Sequence, residues 1–194
     1  LLISHVGRPN GKVVDSLSLE PIKKSLSKKL DEPIKLIKEN IFKLEKKNIF
    51  NISKEKILLL ENIRFYIEEE QNDQGFAKHL AGLCDIYVNE AFSCSHRKHA
   101  SVCEITKYLK KFGGMLLSKE LNALKKITNI INKPISCIIG GSKISTKINI
   151  IENLIPKIDN MIIVGGMANN FLKFEGINIG KSVYEKNIEK TIKK

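Results

Sequence analysis

The chain has 194 residues, 42% of them hydrophobic, and a formal net charge of +12 at pH 7. That length suits one large domain or two modest ones. The charge is dispersed, aromatics are 6% and Trp is absent, which argues against a stacking nucleic-acid surface and for a solvated, lysine-rich exterior.

No apolar run approaches 18 residues and no signal peptide opens the chain, so neither membrane spanning nor secretion is expected. Cys84, Cys94, Cys103 and Cys137 form no CxxC pair, and their spacing to His96 and His99 does not suit zinc. No protein-held metal is expected. Free thiols in a reducing cytosol are the simplest account, so a cytoplasmic location is expected.

Taken in order, a first apolar run at residues 1–3 reads as a strand and leads into Ser4-His5-Val6-Gly7-Arg8-Pro9. Residues 19–30 have a helical pattern. Residues 57–60 read as a second strand, followed by Glu61-Asn62-Ile63-Arg64-Phe65. After a helical stretch at 76–83, a third strand at 85–88 precedes Asn89-Glu90-Ala91-Phe92-Ser93-Cys94-Ser95-His96-Arg97. Strands alternating with helices predict an α/β fold with a mainly parallel sheet.

Only three of the 33 basic residues are arginine, and each follows a predicted strand. In a chain that uses Lys wherever charge alone suffices, a surviving Arg marks a need for the planar, forked guanidinium, which grips carboxylate or phosphate through two parallel hydrogen bonds. Open parallel sheets bind ligands at the carboxyl ends of their strands. Arg8, Arg64 and Arg97, with His5, are therefore expected to converge on one small polyanion.

Residues 109–133 pass through Gly113-Gly114, continue in a helical pattern over 118–131 and stop at Asn132-Lys133-Pro134. They read as a helix joining two sheet-centred domains. A strand at 135–139 then enters Gly140-Gly141-Ser142-Lys143. Apolar residues at Ile144, Ile148, Ile151, Ile155 and Ile158 predict a helix whose start would offer free N–H groups to an anion, with Lys143 and Lys147 on one face. A strand at 161–164 enters Gly165-Gly166 and repeats the arrangement. Neither glycine pair fits the G-x-x-x-x-G-K-[ST] or G-x-G-x-x-G pattern. On residues alone, this is a phosphate-handling α/β protein.

Six segments resemble phosphoglycerate kinase in order: 4–9, 59–65, 87–92, 96–101 (His96-Arg97-Lys98-His99-Ala100-Ser101), 140–148 (Gly140-Gly141-Ser142-Lys143-Ile144-Ser145-Thr146-Lys147-Ile148) and 165–168. The resemblance implies two Rossmann-like, three-layer parallel-sheet domains joined by an interdomain helix, closing on a hinge and both incomplete in this chain. The implied division is 1–108 for phosphoglycerate binding, 109–133 for the helix and linker, and 134–194 for nucleotide binding.

It also implies reversible phosphoryl transfer between 1,3-bisphosphoglycerate and ADP, giving 3-phosphoglycerate and ATP, in glycolysis and gluconeogenesis. His5, Arg8, Arg64 and Arg97 would bind phosphoglycerate, with Arg64, Arg97 and Lys143 catalytic. Gly140, Gly141, Lys143, Lys147, Gly165 and Gly166 would bind nucleotide. Mg2+ would arrive with ATP or ADP, its protein ligand lying outside this chain. A monomer without nucleic-acid or membrane partners is expected.

Ser93-Cys94-Ser95 stands where the family usually has Gly-Thr-Ala, and Glu90 where it has Asp. Val164 replaces a third glycine, and Asn169-Asn170 replace an aromatic–Thr pair. The family's opening strand and its late phosphate loop are expected outside residues 1–194, leaving this segment alone inactive or nearly so. A catalytically inactive remnant that at most binds ligands is the rival expectation.

Overall fold

Ile57–Leu60 is four apolar residues in succession, the pattern of a parallel strand covered on both faces. The computed structural model, which describes residues 1–49, 51, 54–128 and 133–193, bears this out. The chain forms two compact units, Leu1–Leu121 and Asn122–Lys194.

In the first unit, α1 (Glu20–Leu30) has Pro in its first turn and Lys28 and Lys29 in its last, which suits the helix dipole. Next come β1 (Ile34–Ile37), α2 (Lys46–Ile49) and β2 (Ile57–Leu60). β1 pairs parallel with β2, from Ile34 opposite Ile57 to Ile37 opposite Leu60. On the other edge of β2, residues 1–3 contribute a single parallel bridge, Leu2 to Leu59. The expected opening strand is thus reduced to hydrogen bonds from Leu2 N to Leu58 O and from Leu60 N to Leu2 O.

Side chains of β2 alternate between two cores. Leu58 and Leu60 pack with Phe76, Ala77 and Leu80, whereas Leu59 packs with Leu19, Ile34 and Leu36. The first group belongs to α4 (Gln74–Gly82), which follows the single turn α3 (Ile67–Glu70) and starts where Asp73 Oδ1 accepts from Phe76 N at 2.7 Å. Helices thus cover both faces of β2.

β3 (Ile86–Asn89) pairs parallel with β4 (Lys110–Gly113). β4 occupies the start of the stretch expected as helix and linker, and its Lys-Lys-Phe-Gly sequence has no alternating pattern that would mark it as a strand. Pairing with β3 overrides that local preference. α5 (Met115–Thr128) follows, and the unit division falls within it. Residues 129–131 of the expected helix lie outside the described residues.

In the second unit, β5 (Ser136–Gly140) and β6 (Asn160–Val164) are parallel and in register from Ser136 opposite Asn160 to Gly140 opposite Val164. Between them lies α6 (Ile148–Leu154); after β6 come α7 (Gly166–Phe174) and α8 (Glu189–Lys193). Ile144, Ile151, Met167 and Ile188 form the core with Ile139, Met161 and Ile163. The helices therefore lie on one face of this sheet, and Ile138 and Ile162 on the other face are exposed. Among the described residues, no helix is long and apolar enough to cross a membrane.

Candidate functional site

The carboxyl end of β2 is held by Glu61 and Asn62. Glu61 accepts from Ser18 Oγ and Leu19 N, both at 2.7 Å. Asn62 is fully buried and donates to Val6 O at 2.8 Å and Leu17 O at 2.9 Å, while its Oδ1 accepts from Arg64 N at 3.2 Å. One side chain thus ties together both ends of the 6–17 loop and the turn carrying Arg64.

Arg64 is 3% exposed. Its Nη1 donates to Gly7 O at 2.8 Å, where Gly7 takes φ +66°, a left-handed backbone that suits glycine. Its Nε lies 3.5 Å from Glu70 Oε1, an ion pair without hydrogen-bond geometry, and Nη2 has no hydrogen-bond partner. Two nitrogens of this buried guanidinium therefore lack a hydrogen-bond partner within the chain, Nε facing Glu70 and Nη2 facing no acceptor.

The loop after β3 brings Arg97 to the same place. Asn89 holds it by accepting from Ala91 N at 2.8 Å and donating to Ser95 Oγ at 3.1 Å, and Arg97 N donates to Cys94 O at 2.9 Å. Arg97 Nε is buried without a hydrogen-bond partner. Farther along, Glu69 clamps the loop: its carboxylate accepts from Ser101 N and Oγ, its carbonyl accepts from Ala100 N, and Oε1 lies 3.7 Å from His99 Nδ1.

The His5 imidazole records this charge. Burial, then Arg64 and Arg97, push its pKa below the ordinary 6.5, with Glu70 opposing. His99 is lowered too, first by burial and then by Arg64. Burial raises Glu69, while its bonds to Ser101 pull it back. Cys94 Sγ sits 4.0 Å from His5 Nε2. The fold thus gathers His5, Arg64 and Arg97, while Arg8 is exposed on the loop that Arg64 grips. Glu69, Glu70 and His99 carry little signal of this role in sequence. The acidic run Glu68–Glu70 looks like solvated surface, and His99 shows in sequence only as a member of the 96–101 segment, with no role assigned to it.

In the second unit, the two glycine pairs lie side by side at the carboxyl ends of β5 and β6. Met167 N donates to Gly141 O at 2.9 Å, and a Cβ on Gly166 would come within 3.3 Å of Ser142 Cα. Gly165 takes φ +67° and ψ −155°, which is essentially restricted to glycine. Val164, the residue in place of a third glycine, packs against Gly140.

The expected lysine-bearing helix face needs correction. α6 starts at Ile148 with Lys147 at its N-cap position, so Lys143 and Lys147 lie in the preceding loop. The Ser145 N–H is not free: it donates to Glu185 Oε2 at 3.1 Å. Packing of Ile144 into the core sets that loop before the helix can begin, and Ile155, expected on the same apolar face, is exposed. Among the described residues there is no group of three or more His, Cys, Asp or Glu able to hold a metal.

The family model for phosphoglycerate kinase matches residues 1–194. This chain belongs to the phosphoglycerate kinase family. It is 46% identical over 189 residues to the phosphoglycerate kinase of Wolbachia sp. subsp. Brugia malayi, covering 97% of this chain and 47% of that one. To the Bartonella bacilliformis phosphoglycerate kinase it is 46% identical over 185 residues, with 95% and 46% covered. The solved phosphoglycerate kinase of Coxiella burnetii superposes with a TM-score of 0.79 at 39% identity, covering 98% of this chain and 48% of that one. The chain spans about half the length of the curated relatives it matches.

Within the family pattern, Glu90 in place of the usual Asp has a structural partner: its Oε2 accepts from Leu116 N at 2.8 Å and Leu117 N at 3.1 Å, capping α5. Asn169 and Asn170, in place of an aromatic–Thr pair, bond the segment around Val183 and Glu185.

Proposed function

We propose that this chain carries the phosphoglycerate site and part of the nucleotide site of a phosphoglycerate kinase. In that reaction a β-phosphate oxygen of ADP attacks the acyl phosphate of 1,3-bisphosphoglycerate. The phosphoryl group moves, the bond to the acyl oxygen breaks, and 3-phosphoglycerate leaves as a carboxylate with ATP formed.

The observation that carries this reading is the buried Arg64 guanidinium with Nη2 unpartnered. A buried cation short of hydrogen-bond partners is costly unless a ligand supplies them, and a phosphate or carboxylate has the matching charge and geometry. His5, Arg8 and Arg97 join Arg64 in holding phosphoglycerate.

On the nucleotide side, Gly140, Gly141, Gly165 and Gly166 allow backbone to approach the phosphates. Lys143 neutralises charge on the migrating phosphoryl group and Lys147 binds a nucleotide phosphate. Alignment and charge neutralisation are most of what phosphoryl transfer asks of a protein. Mg2+ comes with the nucleotide substrate, as MgADP or MgATP, its protein ligand belonging to the part of the family's sequence outside this chain. The role is cytoplasmic and glycolytic, performed as a monomer without nucleic-acid or membrane partners.

Calorimetric titration of the chain with 3-phosphoglycerate and, separately, MgADP tests this. Arg64→Ala is expected to weaken 3-phosphoglycerate about 10- to 100-fold and leave MgADP unchanged, since a charged hydrogen bond contributes about 1.5–3 kcal/mol. Lys143→Ala should do the reverse. A folded chain that binds neither ligand overturns the reading.

A further inference from the structure

We propose that Glu185 is a positioning residue for the loop carrying Lys143 and Lys147, and that Asn169 and Asn170 form the dock that delivers it. The inference rests on the nucleotide-site reading above and adds to it Glu185, which lies 40 positions from Ser145 and 15 from Asn170 in sequence.

The segment 183–185 has no strand or helix of its own and is strapped to α7 by three side chains. Asn169 Nδ2 donates to Val183 O at 2.9 Å. Lys173 Nζ stands 3.5 Å from the centre of the Tyr184 ring. Asn170, 3% exposed, accepts from Glu185 N at 2.6 Å.

The Asn170 amide has little freedom to turn, because its Nδ2 donates to Gly166 O at 3.0 Å and Met167 O at 3.2 Å. A buried amide with both ends bonded fixes where Glu185 leaves the strap. The route therefore runs from the second glycine pair, through Asn170, to Glu185.

From there the Glu185 carboxylate reaches the first glycine loop. Oε2 accepts from Ser145 N at 3.1 Å and Oε1 accepts from Ser145 Oγ. Those bonds hold Glu185 below the ordinary carboxylate range, with a smaller contribution from Lys143. Ser145 sits between the two lysines, so fixing it fixes the turn from which both reach. A carboxylate already seated on the Ser145 donors also repels phosphate from that spot. The phosphates of a nucleoside diphosphate are thereby directed to the ammonium groups instead of the Ser145 amide.

MgADP titrations of the unmodified chain, Glu185→Ala, Glu185→Gln and Ser145→Ala, each with a thermal melt, decide the matter. Glu185→Ala is expected to weaken MgADP about tenfold or more. Glu185→Gln keeps an acceptor oxygen for Ser145 N–H and should recover most of that loss. Ser145→Ala, which removes only the hydroxyl, should weaken binding about two- to fivefold, and it decides the question if Glu185→Ala does not fold. Affinity unchanged or tighter in Glu185→Ala or Ser145→Ala overturns the positioning role while the nucleotide reading stands, as does Glu185→Gln binding as weakly as Glu185→Ala. An unmodified chain that melts cooperatively yet does not bind MgADP overturns both together.

Discussion

Glu69 holds Ser101 by two hydrogen bonds to one carboxylate, from Ser101 Oγ at 2.7 Å and Ser101 N at 2.9 Å. Ala100 N reaches the carbonyl of the same residue at 2.9 Å. A helix turn on one side of the unit is thus fastened to the loop that carries Arg97 and His99.

Removing the Glu69 side chain leaves two Ser101 donors without their acceptor in a buried setting. Glu69→Ala is expected to destabilise the chain by about 2 kcal/mol and to weaken 3-phosphoglycerate by loosening Arg97. Glu69→Gln, which retains one acceptor oxygen, should lose less of both. Urea unfolding and calorimetry on the two variants check this; equal losses from both would show that acceptor geometry is not what matters.

The depressed pKa of His5 has a sign. The folded chain binds the His5 proton less readily than the unfolded chain does, because burial and then Arg64 and Arg97 disfavour the imidazolium. The stability linked to this group is therefore fully present above pH 6.5 and is lost as pH falls from 6.5 through the folded-state value. An anion bound among these cations acts in the opposite direction and favours the protonated ring. NMR titration of His5 should give a midpoint below 6.5 in the free chain and a higher one with 3-phosphoglycerate. A free-chain midpoint at or above 6.5 would contradict the packing described here.

Gly140 and Val164 face each other across the β5–β6 ladder, and a Cβ on Gly140 would lie 2.8 Å from Val164 Cγ2. Gly140→Ala is expected to cost about 1–3 kcal/mol through overpacking. Val164→Ala removes the clashing methyl, so the double variant should recover about 1 kcal/mol or more of that loss. Denaturant unfolding of the two single variants and the double variant measures the coupling; additive effects would mean that the strands relax freely.

How far the sequence reveals the site depends on how local each feature is. Asn62 is visible as part of a motif, but its three bonds to Val6, Leu17 and Arg64 are not, since two of those partners are 56 and 45 residues away. Glu185 is hidden for the same reason: its partner Ser145 is 40 residues distant, and an isolated Glu among lysines looks like surface charge. β1 and β4 are equally hard to see, because four residues containing lysine carry no clear period and parallel strands are chosen by their neighbours.

Sequence by itself determined the alternating α/β plan, the buried strand Ile57–Leu60 and the placement of Arg64 and Arg97 in the loops after β2 and β3. Those features follow from hydrophobic pattern and turn chemistry within a few residues. Only tertiary structure decided that Arg64 is buried with Nη2 lacking a hydrogen-bond partner, that α6 begins after Lys147 instead of before Lys143, and that Glu69 and Glu185 hold the loops. Each of these depends on which distant group supplies a hydrogen bond or fills a core, and local periodicity carries no record of that.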